Sequence, residues 1–145
     1  MTVALKQENI ITEIGPGDLF HSWFSTVATK LENGNWGIKY PITMNILYQG
    51  KLTLTDANEA LIELNEIREK FKDLSPDDLI WDTENPNKKP PKEIEFNKNA
   101  KNLANYYKTI NGLNLTDEMV ENVESIIEYG GTIDVISYHG QPPIF

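Results

Sequence analysis

The sequence predicts an α+β fold, with about three main helices packed on a largely antiparallel sheet in a single domain spanning 1–145. Three observations lead there. Apolar residues recur at helical period in three separate stretches. Short β-branched runs lie between and around them. No regular strand–helix–strand rhythm links those runs into a parallel sheet. A chain of 145 residues suits one domain and can bury roughly 68–70% of the surface its unfolded chain exposes. Its core therefore needs no disulfide or metal staple. The absence of cysteine excludes disulfides, thiol nucleophiles and thiolate zinc sites.

Val3 to Ile14 reads as extended structure, rich in β-branched residues at Ile10, Ile11, Thr12 and Ile14. Gln7-Glu8-Asn9 either turns between two short strands or lies within one. Gly15-Pro16-Gly17 breaks the strand, and Asp18 offers an N-cap. In the first helix Leu19, Phe20, Trp23, Phe24, Val27, Ala28 and Leu31 form one wide apolar stripe. Small polar residues Ser22, Ser25, Thr26 and Thr29 lie opposite, and Asn33-Gly34 supplies a left-handed stop. Trp36 to Tyr40 is expected as a short strand. Pro41 opens a short helix over Ile42 to Tyr48, and Lys51 to Leu54 alternates as an edge strand.

The second main helix follows, with Asp56 and Glu59 spaced as a capping box. Its apolar face is Ala57, Ala60, Leu61, Leu64, Ile67, Phe71 and Leu74, and Glu66 and Lys70 are spaced to pair. Ser75-Pro76 ends it, and Leu79-Ile80-Trp81 reads as a buried strand. Residues 83–93 form an internal Pro/Lys-rich loop, since Pro86, Pro90 and Pro91 forbid helix while Lys88, Lys89 and Lys92 keep the segment solvated. Asn111-Gly112 between apolar runs signals a hairpin. Thr116 is expected to cap a last helix with Met119, Val120, Val123, Ile126 and Ile127 on one face. Gly130-Gly131 stops it before a closing strand from Thr132 to Tyr138.

The formal net charge is −9, and it is unevenly spread. Thr109 to Phe145 carries six acids and no Lys or Arg. Such acidity argues against nucleic acid, whose binders displace counterions with Lys and Arg, and against an anionic membrane surface. It suits a basic protein partner drawn in by long-range attraction. The N-terminus lacks the basic start and apolar run of a signal peptide, and no apolar run is long enough to span a membrane. A cytoplasmic protein is expected.

Few residues point to chemistry. His21 neighbours Ser22, with Asp18 three residues earlier, but adjacent helical side chains point about 100° apart, so they cannot form a Ser-His-Asp set. The other histidine is His139. Gly15-Pro16-Gly17 lacks the Gly-Lys-Ser/Thr ending of a phosphate loop, and Asp18 would repel an anion. Asp77, Asp78, Asp82 and Glu84 cluster around Trp81 without the spacing or glycine of a calcium loop. They read as a capping turn or an acidic patch for a partner. No catalytic, cofactor or metal residues are expected. The strongest feature is an acidic stripe on the last helix, Asp117, Glu121, Glu124 and Glu128, opposite its apolar face and without interleaved bases. Like charges at this spacing cost about 0.2–0.5 kcal/mol each, so the stripe is a candidate partner-binding face, with Asp77 and Asp78 second.

The block Gly17-Asp18-Leu19-Phe20-His21-Ser22-Trp23-Phe24-Ser25-Thr26, then Leu31-Glu32-Asn33-Gly34, then Tyr40-Pro41-Ile42-Thr43-Met44-Asn45-Ile46-Leu47-Tyr48-Gln49-Gly50-Lys51-Leu52, resembles the bacterial immunity protein 70 family. So does Leu74-Ser75-Pro76 to Ile80-Trp81-Asp82 with the downstream Pro90-Pro91, and the likeness runs roughly from Val3 to Tyr138. The resemblance implies an antitoxin of a polymorphic toxin system, encoded beside a secreted toxin and neutralising it by stoichiometric binding without a cofactor. The net charge fits a basic toxin domain. It brings no contact residues with it. The alternatives are a small acidic protein-binding adaptor and a carboxylate-based enzyme using Asp82 with Glu84.

Overall fold

The computed structural model describes residues 2–138. Strands β1 (Thr2–Gln7), β2 (Ile10–Pro16), β3 (Lys51–Thr53) and β4 (Thr132–Tyr138) form one antiparallel sheet in the order β2-β1-β4-β3. Helices α1 (Gly17–Thr26), α2 (Leu54–Phe71) and α3 (Leu115–Tyr129) supply the other layer, as an α+β reading requires. The β1–β2 connection is a tight turn, with Glu8 in the left-handed region at φ 51°. The strand is not broken at Gly15. It runs on to Pro16 because a bulge leaves Ile14 unpaired between Gly15 and Glu13, and the Ile14 carbonyl accepts from Ile110 N instead.

The three apolar stripes face the core, with Leu31, Leu61, Leu74 and Ile127 only partly buried. Trp23, Phe24, Val27, Leu64, Ile67, Phe71, Met119, Val123 and Ile126 meet Leu5, Leu52 and Ile133 of the sheet in one core. Trp23 packs edge-on against Phe71 at 5.6 Å between ring centres. The helix starts differ from the sequence reading. Asp18 lies in the first turn of α1 and does not cap it. Thr53, not Asp56, precedes α2, with no side-chain cap. Asn114 caps α3 by accepting from Asp117 N at 3.0 Å. Thr116 is buried and accepts from Trp23 Nε1 at 2.9 Å, so a tertiary bond has taken the hydroxyl assigned to the cap. The helix stops are as expected, with Asn33 at φ 54°, Gly34 at 82° and Gly130 at 83°. Glu69 and Lys72 pair where Glu66 and Lys70 were expected to.

Two expected strands are absent, for one reason. After α1 the chain widens into a π-helical turn, Val27–Leu31, and then Glu32 turns inward. Glu32 is only 2% exposed, and its carboxylate accepts from Gly37 N, Lys39 N and Tyr40 N at 3.0, 2.9 and 3.0 Å. Those amides are therefore unavailable to a neighbouring strand. Glu63 of α2 likewise accepts from Ile42 N and Thr43 N, capping the second wide turn, Ile42–Leu47. Leu79-Ile80-Trp81 is also not a strand, because helix hydroxyls take the backbone bonds of Ile80. Its carbonyl accepts from Ser22 Oγ and Thr26 Oγ1 at 2.8 and 3.1 Å, and its N–H donates to Thr26 Oγ1 at 2.9 Å. The Asn111-Gly112 turn forms with a single ladder bridge, Lys108 to Asn114. Residues 83–93 form neither helix nor strand. No helix among the described residues is long and apolar enough to cross a membrane.

Candidate functional site

Helix α3 has the strongest one-sided pattern in the chain. Met119, Val120, Val123 and Ile126 are buried, which turns Glu121, Glu124 and Glu128 outward, and all three are exposed. Among the described residues no cation lies within ion-pair distance of these three. Asp117 differs. It is half-buried, and its Oδ1 accepts from Arg68 Nη1 of α2 at 3.0 Å. Arg68 is also held by Asn65 at 2.9 Å. The reading that no base offsets the stripe is thus corrected at its first position, by a residue from another helix. The remaining face is three uncompensated carboxylates over about two turns. Next to them, Glu118 has its carboxyl held above the usual carboxylate range, first by burial and then by Glu121 and Asp117.

The second acidic group disperses. Asp77 is exposed. Asp78 accepts from Ser75 N at 2.9 Å, closing a capping box on the short turn Pro76–Asp78, and lies 3.9 Å from Lys30 Nζ. Asp82 Oδ1 accepts from Glu84 N at 2.9 Å, while Glu84 itself is exposed. Among the described residues no three His, Asp or Glu side chains converge as metal ligands.

His21 has partners that nothing local in the sequence signals. Its Nδ1 is 2.7 Å from the Tyr48 hydroxyl and its Nε2 is 3.7 Å from Asp82 Oδ1, with both His21 and Asp82 about 30% exposed. The Trp36 ring stacks beside it at 6.0 Å, and burial followed by Asp18 pushes the Tyr48 phenol up. Ser22 takes no part. Its hydroxyl faces Ile80 and Tyr107, on another side of α1. The carboxylate beside the imidazole is Asp82 and not Asp18, and the hydroxyl bonded to the imidazole is that of Tyr48. His139 lies outside the described residues.

Residues 5–135 match the family model described as Immunity protein 70. No curated protein and no solved structure matches the chain.

Proposed function

The chain belongs to the immunity protein 70 family, and on that premise we propose that it neutralises a cognate secreted bacterial toxin by stoichiometric binding in the cytoplasm of the producing cell. The acidic face of α3 meets a basic toxin domain. Occupancy rather than catalysis provides protection, and neither cofactor nor nucleic acid takes part. The observation that carries this reading is the set Glu121, Glu124 and Glu128, exposed side by side with no cation partner among the described residues. Asp117 contributes less because Arg68 already neutralises it. Asp77 is a secondary contact, and Asp78 a weaker one because it caps its own turn.

Exposed charges of this kind mainly raise the association rate. The test uses the toxin domain encoded beside this chain, with association and dissociation rates measured at two salt concentrations. Reversing Glu121 and Glu124 to Lys is expected to slow association about tenfold at low salt and to flatten its salt dependence. Rates and salt dependence equal to wild type would show that the face is merely solvated.

A further inference from the structure

At the C-terminal end of α3 a hollow with mixed polar and apolar walls opens against the β1–β2 turn. It measures about 180 Å3 and is lined by Glu8, Ile10, Ser125, Tyr129, Gly130 and Gly131, among others. Two of the most exposed large apolar side chains among the described residues flank it, Tyr129 at 79% and Ile10 at 66%. Both helical and strand geometry could have hidden them, yet neither packs on the core. Gln7 and Asn122, bonded at 2.6 Å, and Asn122 with Thr12, fix the β-turn against the helix, so the hollow has rigid walls. Gly130 and Gly131, at positive φ of 83° and 98°, are glycines and put no side chain into the hollow.

One carboxylate, that of Glu8, lines this hollow. Glu8 reaches across it, since a side chain at Gly131 would meet Glu8 Oε1 at 3.8 Å. Ser125 lies one turn from Glu121 and from Glu128 along α3, so the acidic face of the helix adjoins the hollow. No Lys or Arg lines the hollow.

We propose that this hollow is the anchor point of the partner interface, and that it takes one Lys or Arg side chain of a basic protein. The apolar stem lies between the Tyr129 ring and Ile10, and the cationic head reaches Glu8. An aliphatic stem ending in a cation is the side-chain type that matches the apolar walls at Tyr129 and Ile10 beside the Glu8 carboxylate. The proposal rests on the reading that the chain acts by binding a basic toxin. It adds a short-range anchor to the long-range attraction of the α3 face.

The two contributions separate kinetically. Tyr129→Ala is expected to weaken the complex with the neighbouring toxin domain about 30-fold, mostly through faster dissociation, while Tyr129→Phe stays within about threefold of wild type. Glu121→Lys with Glu124→Lys acts on association instead. Dissociation unchanged by Tyr129→Ala, with association still slowed by the charge reversal, overturns the anchor and leaves the binding reading intact. If neither variant changes the rates, both fail. A toxin-independent arm titrates 15N-labelled protein with a trilysine peptide. Shifts at Gly130 and Gly131 that vanish in Tyr129→Ala support the anchor, and shifts spread evenly over the acidic surface refute it. Sedimentation covers the remaining occupant: a concentration-dependent dimer abolished by Tyr129→Ala would assign the hollow to a second copy of this chain and overturn the proposal.

Discussion

Helices α1 and α3 each carry an apolar stripe with a polar face opposite, and the fold treats the two polar faces in opposite ways. In α1 the polar face is buried. Ser22, Ser25 and Thr26 are inaccessible, and with Thr29 they bond Ile80, Thr83 and Tyr107. In α3 the polar face stays in water, with Glu121, Glu124 and Glu128 exposed. The difference lies in what each side chain loses on burial. A hydroxyl is small and can be satisfied by one or two partners, so burying it costs little once it is bonded. A carboxylate must keep several acceptor sites filled, and the two buried ones among the described residues, Glu32 and Glu63, each take two or more backbone amides. A face of Ser and Thr at helical spacing is therefore a docking surface for the rest of the chain. A face of Glu is available to something else.

The comparison can be pressed at five positions. The largest effect is expected on the apolar side of α1, where Phe24→Ala should cost about 3–5 kcal/mol, seen as a lowered urea midpoint. An unchanged midpoint would contradict the burial of this side chain. Next is the polar side of the same helix. Thr26→Val keeps the shape but strands the buried Ile80 N–H, and should cost about 1–3 kcal/mol. Glu124→Gln, the matching change on α3, should stay within about 0.5 kcal/mol. Similar costs for the two would erase the distinction drawn here.

His21→Ala lies between the two cases, since the imidazole is half-buried and bonded to Tyr48. It should cost about 1 kcal/mol and leave toxin binding intact, which calorimetry of the complex would check. Abolished protection in a folded variant would reopen an enzymatic reading.

The smallest effect is electrostatic. The Glu118 carboxyl is held above its ordinary range by burial, Glu121 and Asp117. The folded chain thus holds this proton more tightly than the unfolded chain, so the residue subtracts stability as pH rises through the carboxylate range. Solvent screening keeps the effect small. Glu118→Gln should gain a few tenths of a kcal/mol at neutral pH, and the gain should vanish once the pH is low enough to protonate Glu118 in both states. A gain that persisted in acid would assign the effect to packing.

Much of the fold was legible because it depends on local pattern. The three apolar stripes, the left-handed stops at Asn33-Gly34 and Gly130, the edge strand at Lys51 and the closing strand from Thr132 all follow from residue type and spacing. So did the outward orientation of Glu121, Glu124 and Glu128, which burial of Met119, Val123 and Ile126 enforces. Tertiary structure decided where each polar group found its partner. Thr116 satisfies Trp23 instead of capping a helix, and Glu32 takes the amides that would have made a strand of Trp36 to Tyr40. Arg68 answers Asp117 from 49 residues away, and Tyr48 and Asp82 converge on His21. Periodicity reports which way a side chain points. It carries no information about what stands opposite, because that depends on how distant segments are brought together by the core.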